Sequence, residues 1–433
     1  MNEVRAIPIP ITANRTSISA FEQELFASPD VTLFWVQPST YANALDRVTL
    51  LQALITWART APHPTIQFGP GTITRAELIA ALGSDELLYA AVLAATILRS
   101  DGTDATNAVR QMLRNELARR RILDDTSQHR TLVLSTLEHR LAYSPDVMSR
   151  TPEGDSTDWT TRTMFHRVDV ASLSSAEREL LIGAGEEVYE GPRRGVWLRR
   201  SIWPTEHPLS GTVPFTTIGE RLLRPSPEML RDWEKEFPLD TTPADWLGQV
   251  VWELFQNTEH HALSSEGKPI ARSLRSLIAT PLCANDIAMD DTSPLAEYVR
   301  ERAHRDFVSI SVVDSGDGLA FTAAARDDLR ALDPVAELKY FQRAVSGDAR
   351  SPERPLHGFG MTIVGHLLTA MSGFVQIRSG SIVLHRDFGN SQFNAMKRDL
   401  TTDWAFDLDA GTEPHRRWGS VVTIVLPRYG VTT

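Results

Sequence analysis

The sequence predicts an α+β protein with a mostly helical N-terminal domain and a C-terminal domain in which strands and helices alternate. Apolar residues recur at helical spacing between residues 40 and 121, and alternating or β-branched runs predict strands beyond residue 306. Prolines punctuate the chain between these two parts. At about 150 residues per domain, 433 residues are enough for two or three domains. We therefore expect a helical domain, a Pro-rich linker and a second domain over 1–205, 206–240 and 241–433.

The predicted N-terminal domain opens with a strand and continues with helices. The run from Val31 to Val36 predicts a short strand, and Ser39 or Thr40 can cap a helix that continues to Thr60. A capping box, an apolar run and apolar residues spaced by four predict further helices over 74–83, 85–99 and 105–121. Later in the domain, a short helix and a strand are predicted over 174–190 and 195–202.

Composition and charge limit the classes of function. The chain is 42% hydrophobic and 23% charged, which is typical of globular proteins, and its net charge of −11 gives no global attraction to nucleic acid or anionic membranes. A single cysteine, Cys283, excludes a disulfide scaffold and a Cys-rich metal site. The only Gly-Lys pair, at 267–268, precedes a proline, which excludes a P-loop. The longest mostly apolar run is too short to span a bilayer, so we expect a soluble cytoplasmic protein that does not bind a membrane. Because of the negative net charge, we also do not expect it to bind nucleic acid.

The segment 245–263 combines an apolar stripe with a polar one on a predicted helix. The apolar stripe is formed by residues at helical spacing, namely Trp246, Val250, Leu254 and Thr258. Glu253, Asn257 and His261 are spaced by four and share a different face. An amide oxygen is a hard ligand for Mg²⁺, and a carboxylate one turn away can polarise a water molecule. This spacing predicts metal-assisted hydrolysis, and an exposed polar face with an i,i+4 pair is the alternative.

A strand ends in a glycine-rich turn at Asp314. Val308, Ile310 and Val312 alternate with serines, which predicts a strand that runs into the sequence Asp-Ser-Gly-Asp-Gly. Glycines at 316 and 318 let the backbone turn tightly beside a flat ligand. A buried carboxylate at the strand end can accept a hydrogen bond from an exocyclic amine such as that of adenine. Alone, this pattern also fits many ordinary turns.

A second glycine pair precedes a predicted helix. Gly358 and Gly360 expose backbone N–H groups that can bind an anion, and the alternative is a glycine-rich turn before a core helix. The inward face of this helix is predicted to consist of apolar residues, namely Ile363, Val364, Leu367, Leu368 and Met371. Two strands are predicted around Ser379-Gly380, and a final strand runs from Gly419 to Pro427.

Taken together, these segments resemble the GHKL (Bergerat-fold) ATPases, which include gyrase B subunits, large heat-shock chaperones, histidine kinases and mismatch-repair ATPases. The resemblance covers about residues 245–427. It rests on the N box, the two glycine boxes, the strand ending at Ser379 and the closing G-T-x5-L-P pattern, which match at Glu253, Asn257, His261, Ala262, Asp314, Gly316, Gly318, Gly358, Gly360 and 419–427. This sequence departs from the family at Ser372, which stands for a glycine, and at Ser420, which stands for a threonine.

The resemblance implies a fold and a role for each matched residue. The fold would be a Bergerat-type α/β sandwich, with a mixed sheet covered by helices. Glu253 would be the catalytic general base, and Asn257 would be the Mg²⁺ ligand. Residues that contact ATP would be Asn257, His261, Asp314, Gly316, Gly318, Gly358, Gly360 and Ser420. The segment 319–357 would be the ATP lid, and its phosphate contacts would come from Arg343, Arg350, Arg354 or His357. The long segment 264–305 is expected to hold an insertion.

The same resemblance allows more than one function. A sensor histidine kinase needs an acceptor histidine on a helical hairpin, and the best candidate, His139, follows an acidic residue and precedes Pro145. Gyrase-like and chaperone members continue into a further domain, which we do not expect because the matched segment reaches the end of this chain. We therefore expect a Mg²⁺-dependent ATPase that forms homodimers. It would act as a conformational switch coupled to the N-terminal domain and to an unknown protein partner. A bacterial regulatory, signalling, stress or defence role fits this domain order. A protein kinase that acts on His or Ser/Thr and a non-hydrolysing nucleotide-binding module are the alternatives.

Overall fold

The N-terminal part of the chain forms a parallel sheet with two helices. The computed structural model describes residues 6–28, 31–37, 39–41, 43–69, 96–109, 132–138, 165–168, 187–190, 196–199, 247, 250–251, 254, 257–258, 264–265, 268–269, 273–287, 291–302, 306–324, 334–346, 360–393, 404–406 and 416–427. The first elements are β1 (Ala6–Pro8), β2 (Thr12–Ala13), α1 (Arg15–Ala27), β3 (Thr32–Trp35), β4 (Thr40–Tyr41), α2 (Ala44–Thr60), β5 (Thr65–Phe68) and β6 (Thr96–Leu98). Four of these strands make a parallel sheet in the order β1-β3-β5-β6, and β2 pairs with β4. Within the described residues, no helix combines the length and apolar character needed to cross a membrane.

Asparagine caps fix the starts of both N-terminal helices. The Asn14 side chain accepts from the Ser17 backbone N–H, and the Ser17 hydroxyl accepts from the Asn14 N–H, which forms a reciprocal capping box. Asn43 caps α2 by accepting from the Asp46 N–H at 3.0 Å. The predicted helix from Ser39 or Thr40 therefore begins later than expected, because the asparagine provides the cap.

The parallel sheet was not foreseen by the prediction of a mostly helical domain. The strand predicted at 31–36 is confirmed as β3, but 96–98, predicted as the end of a helix, forms β6. Each strand has only two to four residues, and such short apolar runs do not distinguish a strand from a buried helix. The predicted helix at 74–83 lies outside the described residues.

The C-terminal part is built on a seven-stranded sheet in the order β17-β16-β15-β18-β14-β13-β7. Its strands are β7 (Leu132–Glu138), β13 (Ser273–Cys283), β14 (Asp306–Asp314), β15 (Phe374–Gly380), β16 (Ile382–Asp387), β17 (Ala405–Phe406) and β18 (Arg417–Pro427). All six pairings in this sheet are antiparallel. The prediction of a mixed sheet in this domain was therefore wrong. Neighbouring strands such as β15 and β16 are joined by a tight turn, which leaves no room for the crossover that a parallel pair needs.

One strand of this sheet comes from the N-terminal half of the sequence. Strand β7 pairs with β13 from Ser273 opposite Glu138 to Ala279 opposite Leu132. The candidate acceptor His139 follows β7 in the sequence and lies outside the described residues. Strand β13 itself lies within 264–305, so that segment provides a strand of the sheet, between β14 and β7, rather than only an insertion. The predicted linker at 206–240 lies outside the described residues.

The remaining short strands lie outside the two main sheets. A three-stranded antiparallel sheet has the order β8-β10-β9, and β11 pairs with β12. These strands are β8 (Phe165–Val168), β9 (Glu187–Glu190), β10 (Val196–Arg199), β11 (Ser264–Ser265) and β12 (Lys268–Pro269). Strand β10 confirms the strand predicted at 195–202, whereas β9 occupies the end of a predicted helix.

Helices cover both faces of the seven-stranded sheet. The C-terminal helices are α3 (Pro294–Glu301), α4 (Leu319–Ala324), α5 (Pro334–Ser346) and α6 (Gly360–Ala370). On one face, Val308, Ile310 and Val312 share a core with α6 and with a helix that contains Leu254 and Asn257. On the other face, Val313 and Val421 pack in the core of α1 and α2, and Phe307 packs against α3. Alternate side chains of β14 thus face different helical layers.

A polar network joins α1 and α2 to the sheet. Arg417 donates to both carboxylate oxygens of Glu22, at 3.0 and 2.8 Å. Arg378 lies 3.6 Å from the same carboxylate and donates to the Gln52 side chain at 3.1 Å. All four side chains are buried. The contact between the N-terminal helices and β15 and β18 is therefore both apolar and ionic.

We predict that Asp46 makes the fold less stable as pH rises. Burial and the nearby Asp291 raise the pKa of this α2 carboxyl from 3.8 to about 7. The folded state therefore keeps a proton that the unfolded chain loses above about pH 4, so stability falls between about pH 4 and about pH 7. Asp46→Asn should remove about 2–4 kcal/mol of this decline, as measured by urea unfolding across that range. An equal decline in the variant would contradict the prediction.

We predict that Ser372→Gly stabilises the protein. Ser372 follows α6 with φ of +49°, a left-handed conformation that strains a residue with a side chain. Glycine should relieve this strain and raise the free energy of unfolding by up to about 1 kcal/mol, as measured by chemical denaturation. Ser28, with φ of −146°, provides the control, since Ser28→Gly should give no gain.

Candidate functional site

Three adjacent strands present polar side chains at one end of the sheet. Asp314 ends β14, Ser420 lies in β18, and Ser379 lies in β15 opposite Ser420. The Asp314 Oδ1 atom accepts from the backbone N–H of Ser420 at 3.3 Å, and the hydroxyls of Ser379 and Ser420 are 3.5 Å apart. All three residues are buried. A carboxylate and two hydroxyls therefore converge where the central strands end.

The turn after Asp314 is closely held by its neighbours. Asp314 Oδ1 accepts from the Gly316 N–H at 2.8 Å, and the Gly316 carbonyl accepts from the Gly419 N–H at 2.7 Å. The Leu319 N–H donates to the Ser379 hydroxyl at 2.8 Å. These bonds join the turn at residues 314–318 to β18, through Gly419, and to β15, through Ser379.

Glycine is required at two positions around this turn. Gly318 has φ of +97°, and a Cβ atom there would lie 2.8 Å from the Ser379 hydroxyl oxygen. Gly419 has φ of +79°, and its Cβ would overlap the Asp314 carbonyl. A side chain at either position would combine backbone strain with a steric clash. The glycine pattern in the sequence thus reflects a close approach of backbone segments.

The helix that carries Asn257 packs on the face of the sheet that includes Val308, Ile310 and Val312 of β14. By strand alternation, Asp314 belongs to the same face. The apolar stripe of the helix is confirmed at the described positions, because Val250, Leu254 and Thr258 are buried. Asn257 is half-buried and lies at the edge of that stripe, one position before Thr258. The predicted general base Glu253, the predicted contact His261 and the stripe residue Trp246 lie outside the described residues.

The second glycine pair is described only in part. Helix α6 begins at Gly360, and Gly358 lies outside the described residues. The inward face of α6 is confirmed at four predicted positions, namely Val364, Leu367, Leu368 and Met371. This core is shared with the Asn257 helix, so the two predicted phosphate-side elements belong to one helical layer.

The described residues of the predicted lid, 319–324 and 334–346, form α4 and α5, and α5 is anchored to the sheet. Glu337 of α5 accepts from the Ser381 backbone N–H at 3.0 Å and from its hydroxyl. Burial raises the pKa of Glu337 above its usual range. Phe341 is buried against Trp404, whereas Arg343 is exposed beside Tyr340. The other predicted phosphate contacts of the lid, Arg350, Arg354 and His357, lie outside the described residues.

Sequence reasoning assigned no role to two residues at this site. Ser379 ends the strand pattern that formed part of the family resemblance, and this position in the pattern could have identified it as a site residue. Arg59 of α2 donates to the Ser315 carbonyl at 2.6 Å, although the two residues are 256 positions apart. No local pattern in α2 marks Arg59 as a partner of a distant turn.

The chemistry of the described residues fits a nucleotide and a magnesium ion. The carboxylate of Asp314 and the hydroxyls of Ser379 and Ser420 suit the polar edge of a purine base. Asn257 offers one amide oxygen, and Mg²⁺ in nucleotide sites takes most other ligands from phosphates and water. Bound Mg²⁺ would neutralise phosphate charge and orient the terminal phosphate.

No family model matches the chain, and neither the curated proteins nor the solved structures include a match to it. The family resemblance therefore rests on the motifs and remains a prediction.

We predict that Asp314→Asn weakens ATP binding by about 10- to 150-fold. The change replaces a charged acceptor with an amide that can present a donor to the adenine amine, and a hydrogen bond to a charged group contributes about 1.5–3 kcal/mol. Isothermal titration of both proteins with Mg·ATP measures the effect. Asp387→Asn on the neighbouring β16 is the control, because Asp387 bonds Arg302 and Asn390 instead of the site. Unchanged affinity in Asp314→Asn would place the base elsewhere.

Proposed function

We propose that this chain is a GHKL-type, Mg²⁺-dependent ATPase that acts as a conformational switch. One observation carries the proposal: the buried carboxylate of Asp314 ends a central strand beside Ser420 and beside a turn that requires glycine at 318. A buried carboxylate is costly unless it is hydrogen-bonded or paired. A buried carboxylate at the end of a strand, next to a glycine turn, can accept a hydrogen bond from the exocyclic amine of adenine.

The base would bind at the end of the sheet. Asp314 would accept a hydrogen bond from the exocyclic amine of adenine, and Ser420 would support the carboxylate through its hydroxyl and its N–H. Gly316 and Gly318 would leave space for the flat ring beside the backbone. The proposal gives Ser379 a supporting part, because its hydroxyl accepts from Leu319 N–H and so fixes the end of the turn.

The phosphates would extend toward the helical layer. Asn257 would hold Mg²⁺ through its amide oxygen, and Glu253 would accept a proton from the attacking water. His261, Gly358 and Gly360 would line the phosphate end, and the N-terminus of α6 would favour negative charge there. The helical core supports this arrangement, because the Asn257 helix and α6 pack together over β14.

The switch would involve the N-terminal part of the chain. Helices α1 and α2 pack on the face of the sheet opposite the Asn257 helix, so a change in the sheet would reach them directly. The proposal includes a homodimer and a protein partner. It also includes a cytoplasmic location and a bacterial regulatory, stress or defence role.

The fate of the γ-phosphate tests the class of activity. Incubation with γ-labelled ATP and Mg²⁺ should release labelled inorganic phosphate if the chain is an ATPase. Label on the protein or on an added partner would identify a kinase, and bound ATP without transfer would identify a nucleotide-binding module. No binding at all would overturn the proposal.

We predict that Glu253 and Asn257 have separable roles. Asn257→Ala should weaken Mg·ATP binding, because the amide is needed in the ground state. Glu253→Ala should leave binding nearly intact, because a general base is needed only when water attacks, and turnover should fall by about 10²–10⁴. Titration calorimetry and phosphate release measure the two effects. If both variants lose binding equally and Glu253→Ala still turns over at the parental rate, the helix is a polar surface and the mechanism is wrong.

A further inference from the structure

One face of α2 contacts the backbone beside Asp314, Ser379 and Ser420 of the candidate site. Gln52, Thr56 and Arg59 are spaced by four and three, so they lie on one side of the helix. We call these three residues the α2 polar stripe. The rest of this side of α2 packs in the N-terminal core, and the stripe adds polar contacts between α2 and the sheet.

The α2 polar stripe forms hydrogen bonds with main-chain atoms next to Asp314, Ser379 and Ser420. Arg59 Nη1 donates to the Ser315 carbonyl at 2.6 Å, one residue after Asp314. The Thr56 hydroxyl accepts from the Trp418 N–H at 2.9 Å and donates to the Gln52 carbonyl at 2.8 Å. The Gln52 side-chain amide donates to the carbonyls of Arg378 and Gly419, at 3.4 and 3.3 Å. These two carbonyls immediately precede Ser379 and Ser420.

Arg59 is held in place by its surroundings. Its guanidinium lies 4.4 Å from the centre of the Trp418 ring and 3.9 Å from the Asp317 carboxylate. A planar guanidinium that stacks on an aromatic ring and donates to a carbonyl is oriented more tightly than a lysine would be. Arg59 of α2 therefore holds the Asp-Ser-Gly-Asp-Gly turn through its contacts with Ser315 and Asp317.

We propose that Gln52, Thr56 and Arg59 are positioning residues for the base-binding end of the site, through which the N-terminal helices set nucleotide affinity. The inference rests on the proposed function. Their hydrogen bonds to main-chain atoms lie beside Asp314, Ser379 and Ser420, and Arg59 and Gln52 also contact the side chains of Asp317 and Arg378. A shift of α2 would move all three strand ends together, which gives a signal received by the N-terminal part a direct route to the site.

Two variants and a matched control test the proposal. Arg59→Gln removes the charge and the donor fork, and Thr56→Val removes the hydroxyl while keeping its shape. Arg47→Gln is the control, because Arg47 lies over the ring of Tyr41 and belongs to the same helix as Arg59, 12 residues or about 18 Å before it. Arg59→Lys tests whether a charge without the planar fork is sufficient.

The first measurement needs no nucleotide. Hydrogen exchange at the amides of Gly316 and Gly419 should accelerate by about tenfold in Arg59→Gln and Thr56→Val, since each loses a bond that holds the turn. Arg47→Gln should match the unmodified protein. Unchanged exchange in both stripe variants would overturn the inference.

The second measurement uses Mg·ATP. Arg59→Gln and Thr56→Val should raise Kd and KM for ATP by about tenfold with kcat unchanged, and Arg59→Lys should recover part of the loss. A residue that only stabilises the fold would reduce the active fraction and leave KM unchanged. Unchanged Kd in both stripe variants, with normal binding by the unmodified protein, would overturn the inference alone. Failure of the unmodified protein to bind ATP would instead overturn the proposed function.

Discussion

The buried ion pair between Glu22 and Arg417 is the interaction on which the joining of the two halves of this chain depends. Both residues are at least 93% buried, and two donor atoms of the guanidinium face the two carboxylate oxygens. Loss of one partner of such a pair leaves an uncompensated buried charge and costs about 3–5 kcal/mol. Because the pair fits in only one arrangement, it specifies how α1 lies on β18 more sharply than apolar contact alone. Arg378 and Gln52 extend the same network to β15.

This docking explains why the second face of the sheet is polar as well as apolar. Ser311 bonds Thr423 at 2.8 Å within that face, and Gln376 is buried there too. In a sheet with one face in water, such residues would be the solvent side. Here α1 and α2 cover them, and Gln52 and Thr56 of α2 form hydrogen bonds with main-chain groups of β15 and β18. Helices therefore hold the sheet from both sides, and the candidate site lies at the strand ends where both helical layers meet the glycine turn.

Several elements followed from local physics and were predictable from sequence. The alternation of Val308, Ile310 and Val312 identified β14, the spacing of Val250, Leu254 and Thr258 identified a buried helical stripe, and the apolar face of α6 was read correctly at four positions. The turn at Asp314 was located because glycine marks backbone approach, and the structure supplies the neighbours, Ser379 and the Asp314 carbonyl, that a Cβ would strike. The parallel N-terminal sheet was not predictable in the same way, since strands of three or four residues carry too few periods to separate them from helix.

The sequence by itself determined which chemical groups this protein possesses and where some of its elements fall, such as β14, α6 and the turn after Asp314, because those depend on residues within a few positions of one another. Only the tertiary structure decided the antiparallel order of the seven strands, the use of β7 from the N-terminal half at their edge, and the partners of the buried charges. Contacts such as Arg59 with Ser315 and Glu22 with Arg417 join residues 256 and 395 positions apart. No local periodicity encodes such pairs, because each is selected by the burial of a whole helical layer against a sheet rather than by the propensity of either segment.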